Sequence, residues 1–162
     1  MARELRFSRE LRFSRSSPRL TTTEALALHE AVTPDRWCVT RSDLMFLRQE
    51  VWRAIQSGKI RAPDDGDPFE KSDLQYGPNI HTVSRQYIMP VTEEAGKVSW
   101  ALMLHPDGLD CDLFISHAWL EGVFEFLSKV LHSWPAGSRH VWCCMLANPQ
   151  NLDIGSYLQS PS

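Results

Sequence analysis

Two short apolar runs flank a segment with helical spacing in the second half of the chain. The first run is Leu113-Phe114-Ile115, and the second spans residues 141–146. Between them, residues 120–134 carry apolar side chains three and four positions apart, which predicts an amphipathic helix. A strand, a helix and a strand joined by short loops form a βαβ unit, in which the two strands are parallel. The pattern therefore predicts a βαβ unit in this part of the chain.

The residues of this unit also predict how it packs. Continuous apolar runs are typical of strands that helices cover on both faces of the sheet. The apolar stripe of the intervening helix comprises Leu120, Val123, Phe124, Leu127, Val130, Leu131 and Trp134. Pro135 should end this helix, because the residue before a proline disfavours helical geometry. We expect an α/β fold with a small, mostly parallel sheet built around the βαβ unit.

Two further helices are predicted on the amino-terminal side of this unit. Thr21 and Glu24 have the spacing of a capping box, and they open a helical stretch that extends to about residue 32. A second helix is predicted to begin near Ser42 and to end before Gly58. The predicted fold is therefore an α/β core with additional amino-terminal helices.

The region between these helices and the βαβ unit contains a loop and two candidate strands. Proline and glycine punctuate residues 60–80, which predicts a loop. Residues 81–89 and 98–104 each have apolar positions typical of a strand. They either pair as a hairpin, or one of them extends the central sheet. The sequence leaves both arrangements open.

The two ends of the chain are predicted to lie outside the folded core. Residues 1–20 are rich in arginine and contain the hexapeptide Glu-Leu-Arg-Phe-Ser-Arg twice in tandem. We interpret them as a basic disordered tail, with an organelle-targeting peptide as the alternative. Targeting peptides usually lack acidic residues, whereas each repeat here carries a glutamate. The predicted organisation is a tail at 1–20, a helical segment at 21–59, a loop at 60–80, an α/β core at 81–154 and a disordered end at 155–162.

Charge and cysteine content narrow the range of partners and compartments. The chain has 162 residues and a formal net charge of −3, which gives no bulk attraction to nucleic acid or to an anionic membrane. Its apolar runs are too short to span a bilayer. The four cysteines show no disulfide framework, and no secretory signal precedes them. We therefore expect an intracellular, cytoplasmic protein with reduced thiols.

A family resemblance follows from the first strand and the residues after it. Residues 112–119 read Asp-Leu-Phe-Ile-Ser-His-Ala-Trp, and Leu-Glu-Gly comes next. This stretch resembles the opening of a TIR (Toll/interleukin-1 receptor-like) domain, which has an aspartate, an apolar strand, Ser-His or Ser-Tyr, and an acidic residue before the first helix. The resemblance continues through the second strand, covers the amino-terminal part of such a domain, and implies an incomplete flavodoxin-like, TIR-like fold. Residues 98–154 are also similar to uncharacterised proteins of dinoflagellate-type protists, which implies no activity.

The resemblance implies two kinds of function. Most TIR domains are protein-association modules in signalling, and some cleave NAD with a glutamate on a helix well beyond the second strand. The sequence ends before that position, so no residue inherits the catalytic role. We expect a truncated, non-catalytic interaction domain that binds a protein partner or itself through a sheet edge or an apolar helix face. An NAD-cleaving or other nucleotide-binding enzyme and an inactive gene fragment are the alternatives.

The candidate binding residues lie where the first strand ends. Ligands bind beyond the carboxyl ends of the strands in open parallel sheets. Ser116, His117, Trp119 and Glu121 occupy that position. They match the first loop of the family, which borders the nucleotide pocket in enzymatic members. The resemblance thus implies a nucleotide-side loop at these four residues, with NAD as the candidate cofactor.

Other polar positions carry weaker patterns. Asn148 and Gln150 follow the second strand, and they are predicted to lie at the same edge as the first loop. Ser116 and His117 are neighbours in strand geometry, so their side chains should diverge rather than form a nucleophile and a base. The cysteines and histidines lack zinc-ligand spacing, and the acidic cluster around Asp65 lacks the register of a calcium loop. The sequence predicts no catalytic residue and no metal site.

Overall fold

A computed structural model describes residues 19–152 of the chain, and its central feature is a small sheet of three strands in the order β1-β3-β2. The strands are β1 (Val39–Thr40), β2 (Leu113–Ile115) and β3 (His140–Cys143). β2 and β3 are parallel, with Phe114 opposite Trp142. The prediction of two parallel strands bridged by a helix is confirmed. The predicted tail, except its last two residues, and the predicted disordered end lie outside the described residues.

The sheet is mixed rather than mostly parallel, because β1 adds an antiparallel pair. Val39 lies opposite Val141, and Thr40 lies opposite His140. Sequence reasoning missed β1, since a strand of two residues is too short to show an alternating pattern. The coarse α/β prediction is confirmed, and the antiparallel pair is a correction to the predicted parallel sheet.

Helices make up most of the remaining structure. They are α1 (Thr22–Ala31), α2 (Arg41–Gln56), α3 (Ile80–Val83), α4 (Met89–Glu94), α5 (Trp100–Leu104), α6 (Val123–His132) and α7 (Cys144–Ala147). A 3-10 turn at Pro34–Arg36 follows α1, and a π-helical segment at Ser84–Ile88 joins α3 to α4. None of the helices described between residues 19 and 152 combines the length and apolar character needed to cross a bilayer.

The first two helices begin with the same device. The Thr21 hydroxyl accepts the Glu24 amide, and the Glu24 carboxylate accepts the Thr21 amide, so α1 has the predicted capping box. Thr40 and Asp43 make the equivalent reciprocal pair at the start of α2. The predicted end of the second helix near Gly58 is also confirmed, since Gly58 has a positive φ of 78° just beyond α2.

The two strands predicted at residues 81–89 and 98–104 are wrong, because both stretches are helical. Asn79 caps α3 by accepting the Thr82 amide, and Ser99 caps α5 by accepting the Leu102 amide. The spacing of Ile80, Val83 and Tyr87, three and four positions apart, fits a helix rather than a strand. Neither a hairpin nor an extension of the sheet exists in this region. Instead these helices form part of the core around the sheet.

The strands are not covered on both faces, which corrects a second expectation. Val141 and Cys143 of β3 are buried in the core. The alternate positions face outward: Phe114 is 65% exposed and its neighbour Trp142 is partly exposed. The apolar run predicted as one strand over residues 141–146 also divides, because the chain turns into α7 at Cys144. One face of the sheet therefore remains open.

The bridging helix α6 is shorter than predicted. Leu120 is 80% exposed and lies outside the helix, which begins after Gly122. Gly122 is required there, because a Cβ at this position would approach the Tyr76 carbonyl oxygen to 2.5 Å. The buried positions Val123, Phe124 and Leu127 then pack α6 into the core. This close approach fixes the loop that connects β2 to α6.

Candidate functional site

The loop after β2, residues 116–122, is held against the start of α3. The amide of Ile80 donates to the Glu121 carbonyl at 2.9 Å, and the amide of His81 donates to the Trp119 carbonyl at 3.0 Å. An isolated β-bridge between Asn79 and Gly122 continues this contact. The predicted nucleotide-side loop is therefore fixed by backbone hydrogen bonds, which position the side chains that it carries.

His117 is the most distinctive residue of the loop. Its ring lies edge-on to Trp119, with centroids 4.9 Å apart, and to Phe126, at 5.5 Å. Both ring nitrogens are buried, and neither has a hydrogen-bond partner in the part of the chain that the structure describes. Burial lowers the pKa of His117 below its ordinary value of 6.5, although the Ala118 backbone and the nearby Glu121 charge oppose the shift. His117 therefore favours the neutral imidazole near pH 7, and its two ring nitrogens are buried polar atoms that the described residues leave unsatisfied.

Trp119 forms the outer wall of this aromatic cluster. It is 38% exposed, and its ring also contacts His81 at a centroid distance of 6.3 Å. Part of the indole surface is therefore in contact with solvent. Sequence reasoning did not identify His81 as a neighbour, because it assigned that residue to a strand.

Glu121 does not join the cluster through its carboxylate. Its Oε1 lies 3.2 Å from Lys129 Nζ, and the same ammonium lies 2.7 Å from Glu125 Oε1 on α6. These two carboxylates raise the pKa of Lys129. Ser116 is exposed at the end of β2. Of the four predicted binding residues, the structure brings only His117 and Trp119 into ring contact.

The residues after β3 lie at a different contact. The Asn148 amide group donates to Cys144 Sγ at 3.3 Å, and the Gln150 amide group donates to the Asn148 carbonyl at 2.9 Å. Ser84 of the π-helical segment donates to Gln150 Oε1 at 3.5 Å. These bonds connect the chain after α7 to the π-helical segment, and the proximity of Asn148 and Gln150 to the first loop stays a prediction.

The candidate metal ligands serve other contacts. Asp67 Oδ2 accepts the Asn79 amide at 2.9 Å, and His140 Nδ1 lies 2.8 Å from the Asp110 carbonyl oxygen. Among residues 19–152, no group of three or more His, Cys, Asp or Glu side chains could hold a metal ion. The chemistry of the described site is therefore that of aromatic surfaces and a neutral imidazole.

A shallow groove of about 580 Å³ lies between α2 and α6 and carries basic side chains. Arg41 donates to the Leu131 carbonyl at 3.1 Å, and Arg48 donates to the Leu74 carbonyl at 3.3 Å. Arg48 also lies over the Phe124 ring, 5.0 Å from its centroid, and Lys129 is paired with two carboxylates. Because each of these cations already has a structural contact, the groove is a weak candidate for anion binding.

The second distinctive surface, which sequence reasoning missed, is the outward face of β2 and β3. Phe114 and Trp142 are stacked there, with centroids 4.9 Å apart and ring planes 13° from parallel. The indole nitrogen of Trp142 donates to the Pro34 carbonyl at 3.1 Å, which fixes the tryptophan in place. In the described part of the chain, β2 pairs only with β3, so its other edge has no strand partner. The sequence signal for this surface was the position of Phe114 at the centre of an apolar run, because alternation in a strand places it on the face opposite to Leu113 and Ile115.

Fold and site together define a small α/β domain with one aromatic sheet face and one aromatic loop cluster. The chain matches no protein-family model, no curated protein and no solved structure. The TIR resemblance of residues 112–122 stays a prediction.

Proposed function

We propose that this chain is a non-catalytic, TIR-like protein-association domain that pairs with a second copy of itself through the open edge of β2. The observation that carries the proposal is the exposed Phe114, stacked on Trp142 at the edge of the sheet. An unpaired strand edge with an exposed aromatic side chain is a template for strand addition. Free thiols at all four cysteines fit the intracellular, cytoplasmic location that we propose with this function.

The direction of the backbone groups supports pairing at this edge. The amide of Asp112 donates to the His140 carbonyl, at 3.2 Å, and so faces β3. Because amide directions alternate along a strand, the amides of Leu113 and Ile115 face the open edge. Two residues of β2 can therefore offer hydrogen bonds to an added strand.

The sequence of β2 is self-complementary about Phe114. An antiparallel pair of β2 strands related by a twofold axis would place Phe114 opposite its own copy and Leu113 opposite Ile115. Asp112 of one copy would lie opposite Ser116 of the other, so no like charges would meet. The Phe114–Trp142 stack would continue across the interface as a row of four rings. Cross-strand aromatic pairs of this kind stabilise sheets.

Sedimentation velocity over a range of protein concentrations tests this function. We expect a concentration-dependent monomer–dimer equilibrium for the full chain and a monomer for Phe114→Lys. Met45→Lys is the matched control, because Met45 is an exposed apolar residue on α2 rather than on the sheet. A wild-type monomer at every concentration would contradict self-association. Equal dissociation by both variants would place the contact elsewhere.

A second candidate function is nucleotide binding at the cluster of His117 and Trp119. It is favoured by the two buried imidazole nitrogens without partners, since leaving such atoms unsatisfied costs about 1–3 kcal/mol each. A nicotinamide or adenine ring stacked on Trp119 would present polar edge atoms to His117. Cleavage of NAD would also need a free carboxylate, whereas Glu121 is paired with Lys129.

Incubation of the purified chain with NAD separates the two functions. The first proposal predicts no nicotinamide release. Release that disappears in His117→Ala and Glu121→Ala, but persists in the exposed control His132→Ala, would establish the enzymatic alternative. Saturable NAD binding without release, lost in His117→Ala, would support a binding site alone.

A further inference from the structure

The segments that precede β1 and β2 converge on the backbone of Arg36. The Arg36 carbonyl accepts the amides of both Cys38 and Leu109, each at 2.9 Å. The Arg36 guanidinium also lies 2.8 Å from Asp110 Oδ1 and donates to the Asp107 carbonyl at 3.3 Å. Cys38 lies two residues after Arg36, and Cys111 lies two residues after Leu109. The two cysteines belong to one junction of the fold.

The two thiols at this junction are in contact but differ in exposure. Cys38 is 1% exposed, whereas Cys111 is exposed to solvent. The two sulfurs lie close enough to interact electrostatically. Cys38 Sγ also donates to the Asp35 carbonyl at 3.5 Å, and Cys111 Sγ donates to the Leu113 carbonyl at 3.4 Å. Each sulfur is thus held locally on its own segment, beside the other.

We propose that Cys38 and Cys111 form a reversible disulfide under oxidising conditions, which makes this junction a redox modification site. A disulfide needs Cα atoms about 4.4–6.8 Å apart and sulfur atoms that can face each other. The shared acceptor at Arg36 and the contact between the thiols favour this geometry. The bond would connect the segment before β1 to the segment before β2 and so restrain both outer strands of the sheet.

The difference in exposure assigns the order of the chemical steps. The Cys111 thiolate attacks hydrogen peroxide, which forms a sulfenic acid on Cys111 and releases hydroxide. The Cys38 sulfur then attacks the Cys111 sulfur, the S–S bond forms, and the sulfenic hydroxyl leaves as water with the Cys38 proton. Two thiols and one peroxide give one disulfide and two waters. Burial raises the pKa of Cys38 to about 12, and the neighbouring Cys111 thiol contributes to the same increase. Because a thiol with a raised pKa is a poor first nucleophile, Cys38 is the resolving thiol.

Oxidation followed by peptide mapping tests the proposal on the full chain. The reduced protein is treated with hydrogen peroxide, quenched with an alkylating agent in denaturant and digested. We expect the four free thiols to fall to two, a disulfide-linked peptide pair containing Cys38 and Cys111, and full recovery of the thiols with dithiothreitol. Cys111→Ser should abolish the linked pair, and Cys144→Ser is the matched control that should retain it.

The wild-type map decides the proposal without depending on the folding of any variant. Cys111 recovered as sulfinic or sulfonic acid while Cys38 remains alkylatable would overturn it. A linked peptide that joins Cys111 to Cys111 of another molecule would also overturn it. Sedimentation of the oxidised sample separates this outcome from association through β2, because the predicted disulfide lies within one chain.

Discussion

The imidazole of His29 accepts a hydrogen bond from the backbone amide of Ser99, with Nε2 3.2 Å from the amide nitrogen. This bond ties α1 to the residue that caps α5. The same ring lies edge-on to Trp37, with centroids 5.1 Å apart. Burial lowers the pKa of His29 below its ordinary value of 6.5, although the Ala25 backbone opposes the shift. A neutral His29 is therefore part of how the amino-terminal helix is attached to the core.

Stability should fall as the solution becomes mildly acidic. His29 and His117 both have pKa values lowered by burial, so the unfolded chain binds more protons than the folded chain below pH 6.5. Their contribution is fully present above the unfolded pKa and is lost as the pH falls through the folded values. Urea denaturation at a series of pH values from about 7.5 to 5 should show this decrease.

His29→Gln separates this effect from general acid destabilisation. The glutamine removes the titrating group and keeps a side-chain acceptor for the Ser99 amide. We expect a smaller loss of stability with falling pH than in the wild type. The exposed control His132→Gln should leave the slope unchanged. An identical pH dependence in the His29 variant and the wild type would contradict the role assigned to His29.

Removal of the Asp43 carboxylate should destabilise the junction between α2 and α5. Asp43 is 6% exposed, and its Oδ2 accepts the Thr40 amide at 2.7 Å and lies 2.7 Å from His105 Nε2. Asp43→Ala leaves both partners without this acceptor, so we expect a loss of about 2–3 kcal/mol in the free energy of unfolding. Chemical denaturation measures this loss, and Asp64→Ala in the exposed loop is the control that should change little. A loss no larger than that of the control would show that the capping box and the contact with His105 are dispensable.

Gly122→Ala should loosen the loop between β2 and α6. Its φ is −62°, so the added methyl group brings no backbone strain, but it would lie 2.5 Å from the Tyr76 carbonyl oxygen. Relieving this overlap must shift the loop or residue 76, at a cost of about 1–3 kcal/mol. Gly66→Ala provides the contrast, because no atom lies within 4 Å of the added carbon and only the positive φ of 90° opposes it. Thermal unfolding should show the loss of stability, and the amide NMR signals of residues 116–122 should show a local change in Gly122→Ala that Gly66→Ala lacks.

The sequence was informative where the chain has long, regular patterns. The helical stripe of residues 120–134 and the apolar runs beside it led to the parallel pair of β2 and β3. The capping box of Thr21 and Glu24 also located the start of α1. These features depend on local spacing, which the sequence displays directly.

The sequence was misleading where the elements are short. Residues 81–89 have too few apolar positions, and residues 98–104 have too many, to separate a period of two from a period of 3.6, and tertiary packing makes both helical. Asn79 and Ser99 were the available signals, since both are strong helix-capping residues. The pairing of Glu121 with Lys129 depends on how α6 follows the loop, so the linear spacing of the two residues did not show it.

The proposed association makes a spatial claim that intermolecular paramagnetic relaxation tests most directly. A spin label is attached to Ser116→Cys in a chain whose Cys111 and Cys144 are replaced by serine, and this chain is mixed with isotope-labelled wild type. An antiparallel pair of β2 strands centred on Phe114 predicts selective loss of the amide signals of Asp112 and Leu113 in the isotope-labelled wild-type chain. Uniform signals, or losses confined to α2 around Met45, would contradict the open edge of β2 as the interface.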